Sequence, residues 1–199
     1  MKKRVLSCII FALVLFASTV HADFSYRKPE LKGQVIDTET KEPIAGAVVS
    51  VYYENGLHID FADKGTVCIH VYETTTDEGG MFHIPAYTTV IWPTRYDNGM
   101  GIIIYKPGYS CFPEWTPLGG ESVTWFFDPQ KFGKAGDRKI HSLDGPISFT
   151  YGVVEFQKLV KWMDRMRAIP SPNVCSLADF PLLLKARREE SRNLGLRGE

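Results

Sequence analysis

Alternating polar and apolar positions form the most persistent pattern of the chain between residues 31 and 156. Val49, Val51 and Tyr53 alternate with their neighbours at a two-residue period, which places every second side chain of a strand on one face. Residues 102–105 are continuously apolar instead, a pattern typical of a strand covered on both faces. Further strands are predicted at residues 67–72, 123–127 and 147–156.

Short turn-forming segments separate the predicted strands. Residues 38–43 end in a proline, and residues 77–80 end in two glycines, which can supply the positive φ of a tight turn. Pro107 and Gly108 end the apolar strand, because proline has no N–H to donate to a neighbouring strand. Many short strands divided by turns favour a β-sandwich over a fold of alternating strands and helices.

Helical signals replace strand signals after residue 156. Residues 158–167 are mixed basic and apolar and predict a short helix that Pro170 ends. Asp179 is predicted to cap a second helix, with Pro181 in its first turn and Gly195 at its end. The side chains expected to dock this helix on the sandwich are Leu182, Leu183 and Ala186.

The N-terminus has the three parts of a signal peptide. Three basic residues precede an apolar run at residues 5–16, and Ala22 followed by Asp23 provides a small-residue cleavage site. The run is shorter than the roughly 20 residues that a membrane-spanning helix needs, although a retained anchor stays an open alternative. The expected organisation is therefore a signal peptide at 1–22, a lead-in at 23–30, a sandwich at 31–156 and a helical extension at 157–199.

Removal of the signal peptide during export changes the net charge and the number of cysteines of the mature protein. Residues 1–22 carry three basic and no acidic side chains, so their removal leaves 177 residues with 20 basic and 23 acidic ones. A mildly acidic chain of this length suits one soluble domain in the periplasm or outside the cell, with no membrane span, and argues against a nucleic-acid partner.

Three cysteines remain after cleavage, Cys68, Cys111 and Cys175. In an oxidising compartment an odd number predicts one disulfide and one thiol. The favoured pairing is Cys68 with Cys111, because both lie in the β region. Three buried thiols are the alternative.

Four different sequence motifs follow one another between residues 31 and 110. They are Gly33-x-Val35-x-Asp37, Pro43-Ile44-x-Gly46-Ala47-x-Val49-x-Val51, Thr76-Asp77-x-x-Gly80-x-Phe82-x-Ile84-Pro85 and Lys106-Pro107-Gly108-Tyr109. This series resembles the carboxypeptidase regulatory-like domain of bacterial secreted proteins, and departs from it at residues 54–72. The resemblance implies an all-β, transthyretin-like (prealbumin-like) Greek-key sandwich of seven strands. It also implies a non-catalytic module without a cofactor.

Candidate catalytic groups are sparse. His70 and Glu73 match a zinc-binding string, but residues three apart in a strand point to opposite faces, so no zinc site is expected. A small periplasmic hydrolase is the alternative function; it would use Cys111 or converging histidines from the set His58, His70, His83 and His141.

Aromatic residues crowd the segment from 92 to 132. Those placed in turn-rich sequence, and therefore candidates for ligand binding, are Trp92, Tyr96, Phe112 and Trp115. Core filling is the competing interpretation. The expected function is a non-enzymatic, exported binding or assembly module of the bacterial cell envelope that contacts another protein or a polysaccharide. A purely structural envelope component is a further alternative.

Overall fold

The computed structural model describes residues 25–57, 65–90, 95–112, 140–142, 145–147, 152–172 and 174–196. The strands within these ranges are β1 (Ser25–Lys28), β2 (Leu31–Asp37), β3 (Val48–Leu57), β4 (Thr66–Thr75), β5 (Met81–Ile84), β6 (Tyr87–Val90), β7 (Arg95–Tyr105), β8 (Ile140–Ser142), β9 (Gly145–Ile147) and β10 (Val153–Phe156). The helices are α1 (Trp162–Arg167) and α2 (Pro181–Asn193), with a 3₁₀ turn at Leu177–Asp179 before α2.

Two three-stranded sheets form the body of the protein. One has the order β10-β2-β5 and the other the order β4-β3-β7. The β10–β2 pair is parallel, and the other pairs of these two sheets are antiparallel. Two smaller antiparallel pairs join β1 to β6 and β8 to β9.

The main hydrophobic core lies between the two larger sheets. The alternating side chains of β2, β3 and β7 enter it, and Val35, Val49 and Ile104 are completely buried there. This arrangement confirms an all-β sandwich, because two sheets bury their inner faces against each other. Seven strands in a transthyretin-like order stay a prediction, and so do the expected limits of the sandwich. The predicted strand at 123–127 lies outside the described residues.

The turn at 77–80 carries the chain from one sheet to the other, between β4 and β5. Asp77 closes it by accepting hydrogen bonds at its backbone oxygen from Gly80 N–H (2.9 Å) and at its carboxylate from Met81 N–H (2.8 Å). Gly80 has φ +69, and a Cβ there would lie 2.4 Å from the carbonyl oxygen of Val35. Only glycine fits this position without displacing backbone.

A second cluster covers the outer face of the β4-β3-β7 sheet. Ile103 and Tyr105 of β7 point away from the main core and meet Phe180, Leu183 and Ala186 of the helical segment. This cluster confirms two predictions: residues 102–105 are covered on both faces, and α2 docks on the sandwich. The described ranges therefore form three layers, namely sheet, sheet and helix.

The disulfide joins Cys68 to Cys175, so the predicted pairing of Cys68 with Cys111 is wrong. The β3–β4 register is irregular at Ile69, because Tyr53 pairs with His70 whereas the next residue, Glu54, pairs with Cys68. The side chain of Cys68 therefore points to the outer face of the sheet, and that of His70 points to the other face. On the outer face, Cys68 meets the segment that leads into α2. Cys111 follows β7, and β7 and β4 lie on opposite sides of β3, about 10 Å apart, which is too far for a disulfide.

The carboxylate of Glu73 caps helix α2. Its Oε2 accepts a hydrogen bond from Leu182 N–H at 2.7 Å, and its Oε1 accepts one from Leu183 N–H at 3.0 Å. The Ser50 hydroxyl donates to the same Oε1 at 2.7 Å. The prediction of Asp179 as the N-cap is wrong, because it lies in the 3₁₀ turn before the helix. A sheet residue thus satisfies the first N–H groups of α2 with a favourable negative charge.

A buried ion pair joins the two helices. Arg165 of α1 donates two hydrogen bonds, both 2.8 Å long, to the carboxylate of Glu190 in α2. Burial alone raises the pKa of Glu190, but the hydrogen bonds and charge of Arg165 outweigh it, with help from Asn193 and the backbone N–H of Gly108. The pKa of Glu190 is therefore lowered, and the pair stays ionised at neutral pH.

Loss of the Cys68–Cys175 disulfide should destabilise the protein by about 3–5 kcal/mol, since the bond closes a loop between residues 107 positions apart. We expect Cys68→Ser, Cys175→Ser and the double variant to lose similar amounts in urea unfolding, because each removes the same bond. Cys111→Ser is the matched control, with a loss below about 1 kcal/mol. A larger loss in the control than in Cys175→Ser would contradict the observed pairing.

Removal of the charge on Arg165 should cost about 3 kcal/mol at neutral pH in the variant Arg165→Gln, because Glu190 is then buried without a counter-ion. The folded-state pKa of Glu190 lies below 4.5, so the contribution of the pair is complete above that pH and disappears as the pH falls through the folded-state pKa. The stability difference from wild type, measured by urea unfolding, should shrink in acid. Arg192→Gln on the exposed side of α2 is the control; an equal loss there would contradict the assignment.

Candidate binding site

Three stacked rings form an aromatic surface at one end of the sandwich, and we define it as Tyr53, His70 and Tyr87. The ring of Tyr87 stacks on both others, with centroid distances of 4.7 Å to Tyr53 and 4.5 Å to His70. Tyr53 and His70 are 5.9 Å apart, and the three ring planes lie within 24° of one another. Offset stacking of this kind holds each ring in one orientation.

Three strands position these rings. Tyr53 of β3 and His70 of β4 are direct partners in the antiparallel register, so their side chains leave the sheet on the same face. Tyr87 begins β6 and pairs with Lys28 of β1. The β1–β6 pair thus places a third ring against the two that the larger sheet aligns.

Exposure increases across the aromatic surface from the core to the solvent. Tyr53 is completely buried, Tyr87 is half-buried and His70 is exposed. The buried ring anchors the other two, because it belongs to the main core. A rigid, partly exposed stack of flat rings suits a sugar ring or a planar peptide side chain, since binding then freezes little side-chain motion.

The hydroxyl of Tyr53 is buried in the core together with its ring. Burial raises the pKa of Tyr53 to about 12, with a smaller contribution from Tyr87. The hydroxyl therefore stays protonated at physiological pH. Among the described residues, its oxygen has no hydrogen-bond partner.

The two predicted binding aromatics that the structure describes, Tyr96 and Phe112, do not belong to this surface. Phe112 is buried in the main core, so its interpretation as a ligand-binding residue is wrong. Tyr96 is half-buried and its ring covers Gly56 of β3, where a Cβ would lie 2.1 Å from the ring. Trp92 and Trp115 lie outside the described residues, and their proposed role stays a prediction.

The histidines that the structure describes are separated from one another. His70 lies in the aromatic surface, whereas His83 is on β5 of the other sheet, with its Nε2 3.2 Å from Glu30 Oε2. His58 and the side chain of His141 lie outside the described part of the chain. His70 and Glu73 point to opposite faces of β4, as predicted, since Glu73 faces α2. In the described ranges, no group of three or more His, Cys, Asp or Glu residues is arranged to hold a metal.

The thiol of Cys111 has a local contact. Its Sγ donates a hydrogen bond to the backbone oxygen of Phe112 at 3.3 Å, and the residue is half-buried beside the helix-facing cluster. The described histidines His70 and His83 lie elsewhere in the fold, on β4 and β5. The described residues therefore give the hydrolase alternative no converging acid, base and nucleophile.

The sequence contained one indication of the aromatic surface. The larger number of aromatic residues between 92 and 132 made that segment the stronger candidate instead. Tyr53 and His70 lie in predicted strands, so each was a candidate for one face of a sheet. Their proximity depends on the β3–β4 register, and Tyr87 joins them only because β6 pairs with β1. Strand register of this kind was not readable from the alternation alone.

The predicted signal peptide at 1–22 and its cleavage site lie outside the described residues. Ala22 and Asp23, the proposed cleavage position, are both in that group. In the described ranges, no helix combines the length and the apolar character needed to cross a membrane.

Comparison with known proteins gives one structural likeness. No family model and no curated protein matches the chain. Among solved structures, the chain is similar to a streptococcal ancillary pilin, with 13% sequence identity and a TM-score of 0.25. The similarity covers 67% of this chain and 30% of the pilin chain, so this chain spans less than a third of that length. A TM-score this low supports no conclusion about this chain. The assignment of a sandwich depends on the strands and hydrophobic clusters described above.

Proposed function

We propose that the protein is an exported, non-enzymatic binding module of the bacterial cell envelope, and that the aromatic surface contacts a polysaccharide. The observation that carries this proposal is the stack of Tyr53, Tyr87 and His70, whose outer rings reach solvent while the inner ring is fixed in the core. Sugar rings present flat apolar faces, and these stack on aromatic faces that are already held in place.

Three carboxylates of the described residues have structural partners, and this supports a binding role. Glu73 is used to cap α2, and Glu190 is used to hold Arg165. Lys41 pairs with Glu155 on the sandwich surface at 2.7 Å. These carboxylates stabilise the fold, which is the role expected of a binding scaffold.

The disulfide supports export. Disulfides persist in the periplasm and outside the cell, whereas cytosolic thiols are kept reduced. The Cys68–Cys175 bond therefore agrees with the signal peptide predicted at residues 1–22. The resemblance to a secreted carboxypeptidase regulatory-like domain points to the same compartment.

Removal of an outer ring should weaken binding. We expect Tyr87→Leu and His70→Ala to lower the affinity for an envelope polysaccharide by about tenfold each, because each removes a stacking face near the centre of the contact. Glycan-array binding of the mature protein would identify the ligand, and titration calorimetry would measure the change. Thermal unfolding would show that both variants keep the fold.

Thr88→Ala is the matched control, because Thr88 is exposed on β6 next to Tyr87 but follows it by one residue and so faces the other way. It should bind as wild type. Retention of an envelope protein in place of any glycan, with the same loss in Tyr87→Leu and His70→Ala, would assign the surface to a protein partner. Unchanged binding in both variants would refute the proposed site.

Signal cleavage should leave Asp23 as the first residue of the exported protein. N-terminal sequencing of protein recovered from the envelope fraction would test this expectation. Ala22→Arg should abolish cleavage, because the peptidase requires a small residue at this position. Ala12→Val, which keeps the run apolar and the cleavage site intact, should be processed normally. An intact N-terminus in the wild-type protein would support the retained anchor instead.

A further inference from the structure

An exposed apolar strip lies at the other end of the protein, where the chain leaves β10 for α1. We define the basic and apolar surface as Val160, Trp162 and Met163 with the basic residues Lys158, Lys161 and Arg167. Val160 is 88% exposed, and Trp162 and Met163 are each 45% exposed. All three basic residues are exposed as well.

The strip is held firmly on the fold. Leu159 N–H donates to the Gly108 carbonyl oxygen at 2.8 Å and fixes the backbone beside Val160. Trp162 Nε1–H donates to the Leu194 carbonyl oxygen at 3.0 Å, and Arg165 ties α1 to α2. With its N–H satisfied by the protein, the indole of Trp162 presents its apolar carbons outward.

The surface has the composition of a membrane-contacting segment. Each of the two lysines between 158 and 163 is followed by two apolar residues, so the apolar groups can enter the interface while the lysine ammonium groups reach phosphates. The exposed carboxylate of α1 is Asp164. A second carboxylate, that of Asp37, lies close enough to Lys158 for the two charges to interact. The three exposed cations therefore outnumber these two carboxylates, and the local charge favours an anionic partner.

We propose that this surface docks the protein peripherally on anionic phospholipid. The protruding position of Val160 is the reason for choosing a lipid surface, because a side chain exposed to 88% can enter the acyl boundary without any rearrangement of the protein. The aromatic surface stays free in this arrangement. Leu159 of the strip bonds to Gly108, three residues after Tyr105, and Tyr105 pairs with Val48 of β3. Tyr53 lies five residues further along β3, roughly 17 Å from Val48.

Vesicle co-sedimentation of the mature protein tests the proposal. Vesicles of phosphatidylethanolamine with phosphatidylglycerol should bind the protein, and binding should weaken as salt is added, whereas vesicles of phosphatidylcholine alone should bind it much less. Val160→Asp should lower the partition coefficient by about tenfold or more, through lost insertion and added repulsion. Lys158→Gln with Lys161→Gln should lower the partition coefficient by about 25-fold, at about fivefold per lysine.

Val90→Asp is the matched control, because Val90 is also exposed, at 68%, but belongs to β6 at the aromatic end. It adds the same charge and should change binding by less than about twofold. Equal loss in Val90→Asp and Val160→Asp would overturn the proposal, as would equal binding to phosphatidylcholine. Binding to soluble polyglutamate that Val160→Asp abolishes would also overturn it, since it would assign the surface to an acidic protein. These outcomes are independent of the glycan result, which depends on Tyr87 and His70.

Discussion

The covering of the outer face of the β4-β3-β7 sheet is the constraint on which the rest of the structure depends. Strand β7 is apolar on both sides, so Ile103 and Tyr105 would face water if nothing lay over them. Each side chain of this kind is worth about 1.5–3 kcal/mol when buried. Helix α2 supplies the cover, and the sheet in turn supplies what the helix lacks, namely the Glu73 carboxylate that satisfies its first N–H groups. Neither layer is complete without the other.

Three ties of different chemistry hold this layer in place, and they follow one another along the chain. The disulfide at Cys175 fixes the approach to the helix, Glu73 fixes its start, and the ion pair between Arg165 and Glu190 fixes its last turns together with α1. Because α1 is fixed in this way, the exposed side chains around Trp162 have a defined position. The described fold therefore presents two surfaces, the aromatic surface and the basic and apolar one around Trp162, which we propose contact a polysaccharide and phospholipid, respectively. In the proposed arrangement, the second surface would hold the protein at the membrane while the first binds.

The sandwich and the C-terminal helix were predictable because both depend on local patterns. Alternation marked β3 and β4, and the early proline and the final glycine marked α2. The disulfide was not predictable, since the irregularity at Ile69 reverses the face of Cys68 and alternation gives no sign of it. The helix cap was missed for a similar reason. Its donor groups and its carboxylate are 109 and 110 positions apart in the chain.

The sequence alone determined the class of fold and the helical end, because the period of apolar residues and the turn formers act over a few neighbouring positions. Only the tertiary structure decided which cysteines pair, which carboxylate caps α2, that Phe112 is buried in the core, and that Tyr53, His70 and Tyr87 stack. These outcomes depend on strand register and on which face a strand turns to a neighbouring layer. A shift of one residue exchanges the two faces of a strand, and the period of the pattern stays the same.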